Sequence, residues 1–368
     1  MELAGAPRTI IYGMRTAILL LAALPLLAQA PAKNVIVITA DGLRWQEIFR
    51  GMDPAFRSEK AAHMAPDDEY ASQLRKNLWN ESPETRRSAL LPFLWKEIAK
   101  NGMILGNPDK GSPVEVSNAF RVSYPGYSEI LTGRSQDSLV KNNDHIRQPS
   151  ETVLEFLSKK LNSKAALFGS WDTFRWIGEH TPGSIDINAG YQKASGSPTA
   201  DLLNQVQFQA LTGWPEVRHD YVTCELALDY LKRVKPRVLY ISLGETDDWA
   251  HARRYDRVLD TTTYFDQCVE KIWRTAQSMK EYKGNTSLVL TSDHGRGGTL
   301  EDWNGHGSKV AGAERIWMAM LGAGIPARGE VANQTGVKQR DVAPTILKLL
   351  GINPSEYKGV EGTPIKLQ

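Results

Sequence analysis

The chain has 368 residues, of which 41% are hydrophobic and 23% charged, an ordinary globular balance that can bury a sizeable core. A net charge of +2 argues against a nucleic-acid or other acidic-polymer partner on charge alone. Two cysteines, Cys224 and Cys268, are too few for a disulfide scaffold and lack metal-ligand spacing; both fall in helix-like segments, as buried residues or as a single bridge.

Arg15 precedes the apolar run from Ala17 to Leu27, and Ala28-Gln29-Ala30 then offers small residues where a signal peptidase reads. The run is short for a membrane span, so a removable secretory signal over residues 1–30, cleaved after Ala30, is expected. The residues before Met14 are an upstream extension or a misplaced start. The mature chain, 31–368, is expected as one domain, periplasmic or secreted, with no membrane span.

Asn34 to Thr39 is a continuous apolar run and reads as a buried parallel strand closed by Ala40-Asp41-Gly42. Near 50–88 the composition turns polar without a strong period, as in a surface insertion. Leu90 to Lys100 has helical spacing and stops at Asn101-Gly102. Val114 to Phe120 is a candidate strand. Ser123 to Gly133 reads as a helix with Ser123 as N-cap, Pro125 in the first turn and Gly133 as the stop. Lys141-Asn142-Asn143-Asp144 is a polar loop, followed by a helix near Glu151 to Leu161 and a strand from Ala165 to Phe168. A looser insertion is expected near 170–220, with helical patterns at Leu202 to Leu211 and Tyr221 to Arg233. Val238 to Leu243 is another buried strand, followed by Asp247 and His251. A long helix over Tyr255 to Tyr282 returns the chain to a strand at Thr286 to Thr291, which runs into Ser292-Asp293-His294-Gly295. His306, a strand at Ile316 to Leu321 and a helix at Val342 to Leu350 close the chain. Strands alternating with helices imply an α/β fold, a doubly wound, mostly parallel sheet with helices on both faces.

Three strands of such a sheet deliver their carboxyl ends to one edge, where open α/β folds keep their ligands. Asp41, Asp247 with His251, Asp293 with His294, and His306 therefore have the means to converge, despite their separation in sequence. Hard carboxylate oxygens beside imidazole nitrogens suit zinc. Taken singly, each is equally a capping or surface residue. A Ser123 hydroxyl at a helix N-terminus faces the positive end of the dipole, where a phosphoryl or sulfuryl group would be stabilised. Of the seven histidines, His63, His145, His180 and His219 lack such neighbours and read as surface or loop residues.

The order Asp41, Ser123, Asp247-x-x-x-His251, Asp293-His294, His306 resembles the alkaline phosphatase superfamily, most closely its phosphodiesterase and nucleotide pyrophosphatase branch. Ser123-Tyr124-Pro125 through Leu131-Thr132-Gly133 resembles that branch's nucleophile segment, and Asp341-Val-Ala-Pro-Thr-Ile-Leu its closing helix. The resemblance spans Asn34 to Leu350. It implies two divalent metal ions, zinc with manganese as the alternate. Asp247, His251 and His306 would hold one; Asp41, Asp293 and His294 would hold the other, with Ser123 as an added ligand. It further implies a hydrolase of small phosphate esters in which Ser123 attacks phosphorus, forming a covalent phospho-serine that water then releases.

Departures from the family pattern bear on substrate. Monoesterases carry a third metal site using a Glu shortly before the first Asp of Asp-x-x-x-His; five positions before Asp247 stands Ser242, which favours diesters. Sulfatases need Cys or Ser followed by x-Pro-x-Arg to make formylglycine; here Tyr127 replaces the Arg, which disfavours that class. Asn143, with Asn142 as alternate, fits the asparagine that binds a phosphoryl oxygen in diesterases, and Arg296 and Lys309 are candidate substrate clamps. The alternatives are a phosphoryl or phosphonate transferase or mutase, a sulfate-ester hydrolase without formylglycine, and a metal-containing binding protein without turnover.

Overall fold

The computed structural model describes residues 1, 2, 5, 31–57 and 69–367. The N-terminal apolar run, the cleavage position after Ala30, and His63 lie outside the described residues. Among the described residues, no helix is long and apolar enough to cross a membrane.

The strands in chain order are β1 (Asn34–Ala40), β2 (Gly102–Leu105), β3 (Val114–Glu115), β4 (Ala166–Gly169), β5 (Asp186–Ala189), β6 (Val238–Leu243), β7 (Thr286–Thr291), β8 (Arg315–Ile316), β9 (Met318–Gly322), β10 (Gly329–Glu330) and β11 (Val337–Lys338). Eight of them form one sheet in the order β10-β2-β9-β7-β1-β6-β4-β5, while β11, β3 and β8 make a small second sheet. β1 runs parallel to β6 on one side and β7 on the other, with Ile38 opposite both Ile241 and Leu290. β4 and β5 continue in the same direction, whereas β9 is antiparallel to both β7 and β2. The expected mostly parallel sheet is present, with one reversed strand inside it.

β1, β6 and β7 are buried along their whole length, as continuous apolar runs should be when helices cover both faces. The two-residue period of a strand divides each run between two cores. Ile36, Ile38, Leu239, Ile241, Leu288 and Leu290 face helices Asp220–Val234 and Tyr255–Ser278, through residues such as Leu228 and Ile272. Val35, Val37, Tyr240 and Val289 face the other way, onto helices Ser123–Thr132 and Val342–Leu349. Cys224 and Cys268 form a disulfide joining the two helices of the first face, with Cα atoms 6.2 Å apart.

Sequence and structure part company where tertiary partners take over the backbone. The candidate strand at 114–120 shrinks to Val114–Glu115, because the buried Glu129 carboxylate accepts hydrogen bonds from the amides of Ser117 and Asn118 and draws the chain out of the sheet. β2, β5 and β10 were not apparent beforehand; each is four residues or fewer and lies at or near a sheet edge. The polar stretch near 50–88 carries helices Glu69–Leu78 and Pro83–Leu90. Its Arg86 is buried, donating to the carbonyls of Arg50, Asn80 and Glu81. The stretch near 170–220 contains β5 and a helix, Pro198–Gln209, whose first turn is capped by Ser197.

Candidate metal centre and active-site cleft

Because β1, β6 and β7 are in parallel register, their carboxyl ends lie side by side. Asp41 follows β1, Asp247 and His251 lie on the short helix Glu245–His251 after β6, and Asp293 and His294 follow β7. The structure brings these residues, Ser123 and His306 into one cluster. His294 Nε2 stands at its centre, 3.5 Å from Asp41 Oδ1, 3.5 Å from Asp293 Oδ2 and 3.8 Å from Asp247 Oδ1. His251 Nε2 is 3.2 Å from Asp247 Oδ2 and 3.0 Å from His306 Nε2, which is itself 3.9 Å from Asp247 Oδ1. Ser123 Oγ lies 3.5 Å from Asp41 Oδ1 and 3.4 Å from His294 Nε2. Within this cluster two groups have ligand atoms all within 4.8 Å of one another: Asp41, Asp293 and His294, and Asp247, His294 and His306.

Local structure fixes these orientations. His294 Nδ1 pairs with the carbonyl of Gly295 at 3.0 Å and His306 Nδ1 with that of Arg121 at 3.1 Å. A carbonyl only accepts, so Nδ1 carries the proton in both rings and each Nε2 turns a lone pair toward the carboxylates. Gly42 has φ +57°, and its amide donates to Asp293 Oδ1 at 2.9 Å; a Cβ there would lie 2.8 Å from both Arg296 Nε and Asp247 Oδ1. At Gly126 a Cβ would lie 2.2 Å from the Asp293 carbonyl oxygen, so only glycine lets the Ser123 helix come this close to the end of β7.

Ser123 departs from its expected place. The N-cap is Val122, with φ −128° and no side-chain cap, and Ser123 is the first helical residue. The amide of Tyr124 is instead capped by Asn143 Oδ1 at 2.9 Å. The Ser123 hydroxyl is thereby left to the carboxylates and imidazole rather than to its own helix. Tyr127, one turn later on the same face, donates its hydroxyl proton to Asp41 Oδ2 at 3.0 Å and accepts from Ser242 at 3.1 Å. Sequence reasoning missed this residue; the signal was its i+4 spacing from Ser123.

Burial dominates the electrostatics. It lifts Asp41, aided by the charge of Asp293 beside it, to about 8, and it lifts Asp293 to about 7. It pulls His251, His294 and His306 below the usual imidazole range, which keeps their rings neutral. Asp293 Oδ2 is buried and accepts no hydrogen bond among the described residues. Buried oxygens with no donor and imidazole lone pairs aimed inward are what a divalent cation requires, so the donor set fits one at each group.

A cleft of about 470 Å³ opens beside the cluster, lined by Ser123, Asp41, Asp247 and His251 on its inner side. Asn143 and His145 also line it, although His145 has no neighbour in the chain that singles it out. Three expected substrate contacts are absent from its walls. Asn142 closes a local turn by accepting from the amide of Asp144 at 3.1 Å. Arg296 is 2% exposed, ion-paired with Asp247 and donating to the carbonyls of Gly42, Asn304 and Asp247; it braces the centre from behind. Lys309 is exposed on the loop after His306, outside the cleft.

Residues 116–352 match the family model described as Sulfatase. GPI ethanolamine phosphate transferase 1 of Aspergillus oryzae is 25% identical over 304 residues, covering 81% of this chain and 26% of that protein. The chain spans about a quarter to a third of the length of the curated relatives it matches. Among solved structures, a phosphonate monoester hydrolase from Silicibacter pomeroyi superposes with a TM-score of 0.56 at 14% identity, covering 90% of this chain and 76% of that one. A protein of the alkaline phosphatase superfamily from Vibrio parahaemolyticus gives 0.53 at 13% identity, covering 92% and 71%.

Proposed function

We propose, for a chain that belongs to the Sulfatase family within the alkaline phosphatase superfamily, that it is a two-metal hydrolase of phosphate esters, diesters favoured, with Ser123 as nucleophile. The observation that carries this reading is the Ser123 hydroxyl, released from capping its helix and held between Asp41 and His294. Asp41, Asp293 and His294 would hold one ion; Asp247, His306 and His251, whose Nε2 lies 3.2 Å from Asp247 Oδ2 and 3.0 Å from His306 Nε2, would hold the other, with His294 facing both groups. Zinc suits this mixture of carboxylate and imidazole, with manganese as the alternate. When bound, such a pair supplies positive charge to both the attacking and the leaving oxygen of an in-line displacement.

The chain's own residues divide the remaining work. Ser123 Oγ attacks phosphorus as its proton departs, the ester P–O bond breaks, and the alcohol leaves with a proton. Water then attacks the phospho-serine, the bond from phosphorus to Oγ breaks, and Ser123 regains its proton. Tyr127 holds Asp41 in position through the hydroxyl bond to Oδ2. Asn143 spends Oδ1 on the Tyr124 amide, so its Nδ2 is the end left to donate to a non-bridging phosphoryl oxygen.

Ser242 is buried and bonded to Tyr127 and Thr39, so no carboxylate occupies the position that a third metal would use in monoesterases. Tyr127 also stands where formylglycine-forming sulfatases have arginine, which supports phosphorus over sulfur. A second reading, transfer of the phosphoryl group to an alcohol in place of water, draws support from the named activity of the Aspergillus relative. The metal-loaded chain is expected to hydrolyse bis(p-nitrophenyl) phosphate faster than p-nitrophenyl phosphate or p-nitrophenyl sulfate, and Ser123→Ala to abolish turnover with metal retained. A sulfate preference, or full activity in Ser123→Ala, would refute it.

A further inference from the structure

We infer that the outer half of the cleft is a subsite for an organic ammonium group, so that the ester processed carries a positive charge close to its reacting centre; this rests on the reading of Ser123 and the two metal groups given above. Beyond those residues, the wall is formed by Trp171, Trp214, Pro215, Glu216, Val217 and Asp248, and no lysine or arginine is among the lining residues.

Asp41, Asp247 and Asp293 would be matched by cations at the two metal groups of the proposed centre, whereas Glu216 and Asp248 belong to neither of those two. Asp248 Oδ2 is buried and has no hydrogen-bond partner among the described residues; burial raises its carboxyl well above the usual range, a polar group that a cationic donor would satisfy. Glu216 stands next to Asp172, whose amide donates to the Glu216 carbonyl at 2.9 Å, and the carboxylates of both reach within 4.8 Å of one another. Asp172 itself stands behind the wall, and its carboxylate adds to the negative potential that Glu216 presents to the cleft, which a positive ligand relieves. An anionic alcohol group would meet carboxylates and no lysine or arginine here. A second phosphate or a carboxylate on the substrate is therefore disfavoured by the charge of the wall.

Aromatic rings decide which cation fits. Trp214 is held edge-on by Trp249, with ring centroids 4.9 Å apart at 85°, and Trp171 is fixed by a backbone bridge to Val217. Indole faces attract alkylammonium groups through their quadrupole and cover their methyl or methylene surface, which a bare metal ion cannot exploit. His145, Asp172 and Glu216 do converge closely enough for a metal ion, but the His145 ring lies stacked on Trp176, with centroids 4.6 Å apart, and two of the three are exposed. The ammonium group is the occupant that uses the rings as well as the carboxylates.

The test compares choline with its uncharged isostere 3,3-dimethylbutan-1-ol, first by calorimetry on the metal-loaded protein, which needs no turnover. Choline is expected to bind about tenfold more tightly, the scale of one desolvated cation–aromatic contact, and Glu216→Gln and Trp214→Ala each to narrow the difference. The p-nitrophenyl phosphodiesters of the same two alcohols then give the ratio of kcat/KM, expected to favour choline and to fall in Glu216→Gln. Equal binding of the two alcohols, equal kcat/KM, or a third bound metal ion that is lost in Glu216→Gln would overturn the subsite. Choline preference in calorimetry with neither ester hydrolysed would instead refute the hydrolase reading and leave the subsite standing.

Discussion

Tyr127 shows how a single hydroxyl can matter without meeting substrate. Its ring packs edge-on against Phe174, with centroids 4.6 Å apart, while its hydroxyl donates to Asp41 Oδ2. Tyr127→Phe keeps the packing and removes the donor. A hydrogen bond to a charged partner contributes about 1.5–3 kcal/mol, so kcat is expected to fall by about tenfold or more, with the melting temperature little changed. Steady-state kinetics and a thermal melt on the same variant separate this from a packing defect, which would lower both. The carboxylates make a second prediction, with its sign fixed by linkage. Burial raises Asp41 from 3.8 to about 8 and Asp293 from 3.8 to about 7 in the metal-free chain. Above about pH 6.5, where unfolded histidine is already neutral and the three depressed imidazoles no longer oppose the trend, the folded chain holds carboxyl protons that the unfolded chain has released, so metal-free stability falls as pH rises from there toward 8. Metal competes with these protons, so the gain in melting temperature on adding zinc grows over the same range. Melts with and without zinc across that range check both trends; a metal-free protein that becomes more stable toward pH 8 contradicts them. At this scale, Asp41, Asp293 and His294 were legible because an acid or imidazole directly after an apolar strand has one destination. Tyr127 was not, since its role appears only once the helix face and the place of Asp41 are known. Arg296 misled because a charged loop residue reads as solvated, whereas this one is buried against three carbonyls and Asp247.

The elements meet through close approaches that a side chain would forbid. Gly126 puts the Ser123 helix directly against the Asp293 carbonyl, and the neighbour that a Cβ would strike is backbone, which gives little. Gly126→Ala is expected to cost about 1–3 kcal/mol, the usual scale of overpacking, and to lower activity further by pushing Asp293 and Ser123 apart. Urea unfolding and kinetics read the two effects; a variant with unchanged stability and rate would show that the contact yields freely. The disulfide between Cys224 and Cys268 closes a separation of 44 residues between helices Asp220–Val234 and Tyr255–Ser278. Replacing both cysteines with alanine is expected to remove about 2–4 kcal/mol of stability while leaving the metal groups assembled, which unfolding curves and metal content would show. The central strands were legible because β1, β6 and β7 are unbroken apolar runs. The short edge strands were not, because two to four residues carry no periodicity of their own and pair only once the sheet exists to receive them.

For the whole molecule, the parallel sheet explains why residues from Asp41 to His306 share one site: β1, β6 and β7 end together, and the loops that follow carry the donors. The same arrangement places an acidic, aromatic cleft on the open side, with the metal groups beneath it. Under the two proposals charge falls in two zones, one suited to divalent cations and one suited to a cationic alcohol group rather than an anionic one. The sequence alone conveyed the first zone, through strand ends and the family's order of ligands. The second depends on Trp171, Trp214 and Glu216, which come from the looser stretch near 170–220 and have no motif to announce them. The central claim, two ions cradled at the carboxyl edge beside Ser123, is tested most directly by anomalous scattering at the zinc edge from crystals of the zinc-loaded protein. Two peaks are expected, one among Asp41, Asp293 and His294 and one among Asp247, His251 and His306; a single peak, or ions bound elsewhere with these side chains left empty, would contradict it.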